Sequence, residues 1–290
     1  MGPLVLGLHV TARCNHRCGY CIYNVPGQYI PRDMTEEVAD KVMSLLPTIQ
    51  TVGLTGGEPM LCKDVWSILE AVKSRRRPVS ISTNGTRLER NDLLHGVSVT
   101  VSARESDREK YLELTGVDAF DRMVEGIKNA QHSGARVGVS FVIDRGNVDS
   151  LERYARFAKK LGVHRVAFMG LLAGDRDDLK GRTVEQADMA IIEAQRPAIG
   201  RLGLRITQWP KPIQPDGPGG KCEMGRNHIA VDGDGNVALC CRGAGPRPEM
   251  GNILTDGPSV WSTGPMAELR EKVYTLGEQP EKCLHCRENW

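Results

Sequence analysis

Cys14-Asn15-His16-Arg17-Cys18-Gly19-Tyr20-Cys21 carries three thiols, with three residues between the first pair and two between the second. On a helix these positions would line up along one face, so a compact metal group held by all three requires a loop that curls around it. Gly19 is read as the point where that loop bends without a side chain in the way. Four cysteines complete an ordinary iron–sulfur cube. Three local ones leave either a distant fourth ligand or one iron open to a small molecule. A structural zinc site completed by cysteines elsewhere is the other reading of the spacing.

The surroundings of this loop set the fold class. Leu4 to Val10 reads as a short buried strand that delivers it. Met34-Thr35-Glu36-Glu37 starts a helix with Thr35 as N-cap, running to about Leu46. Further strands are expected over Thr51–Leu54, Val79–Thr83, Val97–Ser102, Arg136–Ile143 and Arg165–Met169, with helices over Val65–Lys73, Phe120–Ser133 and Val148–Leu161. Strands alternating with helices argue for parallel units with right-handed crossovers, hence a barrel or a doubly wound sheet. Polar and glycine-rich segments follow the strands, at the ends where a barrel places its active site.

The 290 residues are enough for a full core, in one large domain or one plus an appendage. A net charge of +2 with 26% charged residues predicts no strong field for nucleic acid or an anionic membrane. No apolar run approaches the roughly 20 residues needed to span a bilayer. Met1-Gly2-Pro3-Leu4 lacks the basic and apolar regions of a secretory leader. Together with nine cysteines, whose use in a chain this size points to metal or redox chemistry rather than disulfides, this leads us to expect a cytoplasmic enzyme.

With its aromatic before the last cysteine, CxxxCxxC resembles the signature of radical S-adenosylmethionine (radical SAM) enzymes. Gly56-Gly57-Glu58-Pro59, behind the second strand, matches that family's GGEP segment. The resemblance implies a partial (β/α)6 TIM-like barrel. Cys14, Cys18 and Cys21 would hold a [4Fe-4S] cluster, and SAM would chelate the open iron. An electron from an external flavodoxin- or ferredoxin-type donor would then yield a 5′-deoxyadenosyl radical that takes hydrogen from substrate. Gly56, Gly57 and Glu58 would contact SAM, with Ser82, Asn84 and Ser102 further along it and Tyr20 and Met169 near its adenine.

Composition shifts after about residue 207, dividing the chain into 1–207 and 208–290. Trp209 to Gly220 is a Pro/Gly-rich connector. Beyond it lie Cys222, Cys240, Cys241, Cys283 and Cys286, with a β-hairpin expected around Gly233-Asp234-Gly235. So small a region has little core of its own and gains from a metal staple. Spacing alone allows zinc. The order of cysteine, hairpin, cysteine, Gly251-Asn252-Ile253, helix and CxxC resembles the small α+β twitch domain, a shortened SPASM domain. That resemblance implies an auxiliary [4Fe-4S] cluster on Cys222, Cys240, Cys283 and Cys286, and sets the chain apart from fuller SPASM enzymes that mature peptides and sulfatases.

Cys241 is then spare. Neighbouring strand residues point to opposite faces, so it turns away from the cluster if Cys240 turns toward it, although a bulge could exchange the two. A spare thiol beside such a cluster resembles the arrangement in aminoglycoside epimerases. There it returns hydrogen to the far face of a planar sugar radical, which makes Cys241 the candidate catalytic residue. An amino-sugar substrate follows from this resemblance. Dehydrogenation of a secondary alcohol, epimerisation at a peptide Cα, or a zinc-stapled binding protein are the alternatives. Glu105, Asp107, Asp144, Asp175, Asp177 and Asp178 fall after strands and are candidate carboxylates for a polycationic substrate.

Overall fold

The computed structural model describes residues 2–21, 29–173, 176–212, 223–240 and 246–276. Nine strands form one sheet: β1 Val5–Thr11, β2 Thr51–Gly56, β3 Val79–Thr83, β4 Ser98–Ser102, β5 Arg136–Ile143, β6 Arg165–Gly170, β7 Arg205–Gln208, β8 His228–Asp232 and β9 Val237–Ala238. Their order is β7-β6-β5-β4-β3-β2-β1-β8-β9. Every neighbouring pair is parallel except β8 with β9, which form the antiparallel hairpin expected around Gly233-Asp234-Gly235.

All six expected strands are present, in a parallel α/β partial barrel. The sheet is wider than six strands. Arg205–Gln208 adds a seventh against β6, and the first hairpin strand of the tail lies parallel to β1, with Val5 opposite His228 and His9 opposite Asp232. The cysteine-bearing loop therefore leaves a strand that is central rather than at an edge.

Helices α1 Glu36–Leu45, α2 Val65–Ser74, α3 Arg108–Thr115, α4 Phe120–His132, α5 Leu151–Lys160, α6 Asp177–Lys180 and α7 Met189–Gly200 link the strands. Thr35 caps the first as expected, accepting from the Val38 N–H. One face of the sheet is buried by helices through Val52, Leu54, Ile81, Val99, Val101, Phe141 and Phe168. On that face the Phe141 and Tyr154 rings stack at 4.5 Å, and Trp209, at the start of the connector, packs on Phe168.

Strand alternation gives the opposite face a different composition. Gly53, Ser80, Ser82, Ser98, Thr100, Ser102, Gly138, Ser140 and Ala167 project there, most of them only partly buried. Arg165 crosses the lower part of this face to bond Ser98 Oγ at 2.9 Å and Thr100 Oγ1 at 3.3 Å. Gly138 makes room for it, since a Cβ there would sit 2.6 Å from Arg165 Nε. The inner face is thus walled by small and hydroxyl-bearing residues and closed below by a cation. In the tail, α8 Glu223–Asn227, α9 Ile253–Asp256 and α10 Gly264–Arg270 surround the hairpin. No described helix is long and apolar enough to cross a membrane.

Candidate metal and cofactor site

The cysteine loop starts where β1 ends and is laced to the ends of the neighbouring strands. Gly57 N–H donates to Thr11 O at 2.7 Å and Glu58 N–H to Arg13 O at 2.8 Å. This approach demands glycine. A Cβ on Gly57 would lie 2.3 Å from Arg13 O, and Gly56, at φ 136°, would place one 2.1 Å from Thr11 O. Asn15 is held from β3, receiving a 2.8 Å bond from Asn84 Nδ2 and giving one of 2.8 Å to Thr86 Oγ1. Arg17 N–H bonds Thr115 O, and Arg176 bonds Gly19 O. Gly19 itself is not sterically required: a Cβ there meets nothing within 4 Å. The bend is fixed instead by these hydrogen bonds.

Glu58 is fully buried. Its carboxylate accepts from Thr83 Oγ1 at 2.5 Å, Asn84 N–H at 2.6 Å and Met60 N–H at 3.1 Å. Burial raises its pKa, and the three hydrogen bonds oppose that rise. The Asn84 side chain is likewise committed, to Asn15 and Thr86. Both residues therefore organise the loop from behind, while Ser82, Ser102 and Met169, on the ends of β3, β4 and β6, retain exposed surface on the inner side.

Cys14 is exposed, Cys18 buried and Cys21 intermediate, and none forms a disulfide. Burial pushes the Cys14 thiol up, with the Glu58, Cys21 and Cys18 charges adding to it, and the His16 N–H, 3.4 Å from Cys14 Sγ, opposes it. Burial likewise pushes Cys18 up, with Cys21 adding and Arg104 opposing. Three thiols on one short loop are a donor set that loses its protons on binding iron and that a cationic iron–sulfur core would neutralise. Among the described residues no three His, Cys, Asp or Glu side chains surround one point, as the ligands of a single metal ion would. A cube of irons has no such requirement, since each thiolate takes a different iron. The residues present fit that group.

Tyr20 is buried with Cys18, Leu171, Ala173 and Leu179. Its hydroxyl, pushed up to about 12 by burial, accepts a 2.9 Å bond from Arg104 Nη1. Nothing in the sequence pattern marked Arg104, which stands just past β4 with a left-handed φ of 68°. The hydroxyl-lined face was also missed, although its signal, small residues at every second position of the third, fourth and fifth strands, is present in the sequence.

A cavity of about 790 Å³ opens beside Tyr20, between α3, the end of β5 and the start of α5. The carboxylates expected to await a polycation there are occupied. Glu105 is paired with Arg153 at 2.7 Å and accepts from Tyr154 at 2.8 Å, and Asp144 is paired with Arg182. Asp107 caps α3, Asp178 pairs with Arg176 and Asp177 with Lys180, and Asp175 lies outside the described residues. Lys110, Glu113 and Asp149 also line the cavity, giving it both signs of charge.

In the tail, Cys240 follows β9 and is partly buried. Cys222, Cys241, Cys283 and Cys286 lie outside the described residues. The hairpin is built around Asp232, whose Oδ1 accepts from the Asp234 and Asn236 N–H groups at 2.9 Å each, and Asn252 ties the following segment to it.

Comparison with known proteins gives two family matches: Radical SAM superfamily over residues 8–158 and an iron–sulfur cluster-binding domain, SPASM, over residues 222–287. Mycofactocin maturase MftC of Mycolicibacterium smegmatis is 27% identical over 93% of this chain and 73% of its own length. A probable GTP 3′,8-cyclase of Saccharolobus islandicus is 33% identical over 57% of the chain, which spans only 56% of that relative. In structure the chain resembles Streptococcus suis SuiB bound to S-adenosylmethionine, with a TM-score of 0.74 at 16% identity over 93% of this chain and 68% of that one. It also resembles anSMEcpe with bound AdoMet, with a TM-score of 0.73 at 16% identity over 98% and 87%. SuiB has further been solved with the precursor peptide SuiA, and anSMEcpe with a Cp18Cys peptide.

Proposed function

Because the chain belongs to the radical SAM superfamily, with a SPASM-type domain behind the barrel, we propose that it modifies a carbon of a peptide substrate. Its cofactors are SAM and two [4Fe-4S] clusters. Together the bound SAM and the three-cysteine cluster supply one-electron reduction and a radical that removes hydrogen. The observation that carries this reading is the lacing of the Cys14–Cys21 loop to Gly57, Glu58 and Asn84 at the C-terminal mouth of a parallel sheet. In this proposal Cys14, Cys18 and Cys21 hold the first cluster. Gly56, Gly57, Ser82, Ser102 and Met169 border SAM, Glu58 and Asn84 keep the loop in place, and Tyr20 walls the cavity.

A peptide suits that cavity better than a polycation does, because Glu105 and Asp144 are already neutralised by Arg153 and Arg182. The peptides held by the structurally similar SuiB and anSMEcpe point the same way. Cys222, Cys240, Cys283 and Cys286 are proposed to hold the auxiliary cluster, and Cys241 to return hydrogen to the substrate, which makes the reaction an epimerisation at Cα. A one-electron donor of flavodoxin or ferredoxin type completes the system.

The second reading is epimerisation or dehydrogenation of an amino-sugar. The five tail cysteines favour it, being too few for the two auxiliary clusters of the fuller SPASM pattern. One experiment separates the two. Anaerobically reconstituted protein is given SAM, reductant and, in D2O, either short peptides or amino-sugars. Release of 5′-deoxyadenosine stimulated by peptides, with solvent deuterium entering at Cα and this incorporation lost in Cys241→Ala, is the expected result. Stimulation by amino-sugars alone overturns the peptide assignment.

A further inference from the structure

Arg104 is an anomaly in charge and in backbone. Apart from Arg76, it is the one non-glycine residue with positive φ among the described residues, a conformation that L side chains adopt at a cost. Arg104 is partly buried, and burial would lower its pKa, yet Tyr20, Cys18 and Cys21 together raise it above the usual arginine value. Nη1 bonds Tyr20 Oη at 2.9 Å and the guanidinium carbon sits 5.5 Å from the centre of the Tyr20 ring. Nε is shut off from solvent with no hydrogen-bond partner. Among the described residues Arg104 forms no ion pair with a carboxylate, whereas Arg153 and Arg182, on the cavity beside Tyr20, each have one. A guanidinium partly withdrawn from water with no ion-pair partner is costly, so its place on Tyr20, between Cys18 and Cys21 in the chain, needs a reason.

We propose that Arg104 is a charge-compensating residue of the cluster held by Cys14, Cys18 and Cys21, and that it raises that cluster's reduction potential. The inference rests on the ligand assignment proposed above. A cube bound by three thiolates is anionic and gains a further negative charge on reduction, so a fixed cation nearby stabilises the reduced form more than the oxidised one. Tyr20, sitting between Cys18 and Cys21 in sequence, carries the guanidinium on both its ring and its hydroxyl, so the charge is placed by the cysteine loop itself. The left-handed turn at Arg104 brings its side chain back from the end of β4 toward that loop. Arg104 is a positioning residue in this scheme, acting on the potential of the cluster and not on substrate.

The test is a redox titration of the reconstituted protein without SAM, following the cluster whose EPR signal changes when SAM is later added. Arg104→Gln is expected to lower the midpoint, so that the reduced-to-oxidised ratio at fixed ambient potential falls by roughly tenfold. Iron and sulfide content should stay unchanged. An unshifted midpoint in fully loaded Arg104→Gln overturns the inference. The same holds if SAM affinity falls while the SAM-free midpoint stays put, which would make the guanidinium a partner of the SAM carboxylate instead. Should Arg104→Gln fail to load iron, Arg104→Lys decides: the charge survives, so a midpoint near the wild type's is expected, and a drop as large as the roughly tenfold one expected for charge removal overturns the proposal. A wild type without any SAM-sensitive cluster signal overturns the ligand assignment itself and this inference with it.

Discussion

Glu58 shows how much of the site depends on single buried atoms. Its carboxylate satisfies Thr83 Oγ1 and the Asn84 N–H, and an amide in its place turns one acceptor into a donor facing a donor. Glu58→Gln is therefore expected to cost about 1–3 kcal/mol of stability, read as a lower denaturant midpoint, and to weaken SAM binding through the displaced loop. Gly57→Ala tests the same junction from the backbone side. Its methyl would meet the Arg13 and Ala12 carbonyl oxygens at 2.3 and 2.6 Å, neither of which is the end of a flexible side chain. Loss of cluster loading is expected there even though the cysteines are untouched, and iron analysis of the purified variant measures it.

At the scale of elements, the cysteine loop behaves as one unit, so removing any of its thiols should abolish its cluster while sparing the other. Cys18→Ala is expected to retain about half of the wild-type iron. A variant that keeps all of it would place the first cluster elsewhere. What sequence could reveal follows the same division into elements. Short β-branched runs closed by glycine or proline, such as Val79–Thr83 before Asn84-Gly85, announced the first six strands. The loop and its GGEP neighbour were visible because unusual residue types sit at fixed spacing. Arg205–Gln208 was not visible, having one large apolar residue in four, nor was α3, whose charged stretch has only two buried positions, Tyr111 and Thr115. Nor could the Met189–Gly200 helix be read easily, since Pro197 stands inside it where a proline ordinarily signals a break. Arg104 escaped for a different reason: a left-handed arginine and its aromatic partner are far apart in the chain and leave no periodic trace.

On the scale of the whole molecule, the seam between β1 and β8 joins the barrel strands to the cysteine-rich tail, and two histidines lie in it. His9 and His228 are both buried, and burial, with the His228 charge adding to it, lowers the His9 pKa to about 4 from an ordinary 6.5. Burial lowers His228 as well, against a carbonyl bond to Leu239. Because the unfolded chain takes up these protons before the folded one, stability is held above about pH 6.5 and lost as pH falls from there toward 4. For His9 alone the loss amounts to about 3 kcal/mol. His9→Gln should flatten the dependence of the melting temperature on pH across that window, and an unchanged slope would show the seam to be insensitive to acid. The same seam bears on how the chain is made. β1 leaves the ribosome more than two hundred residues ahead of its partner on one side. Until that partner is synthesised, a strand that the folded protein buries almost entirely has a bare hydrogen-bonding edge, open to pairing with other nascent chains. Slow translation or truncation before His228 is expected to send this protein into aggregates, and co-expressed holdase chaperones, or a fused solubility partner at the N-terminus, to recover it.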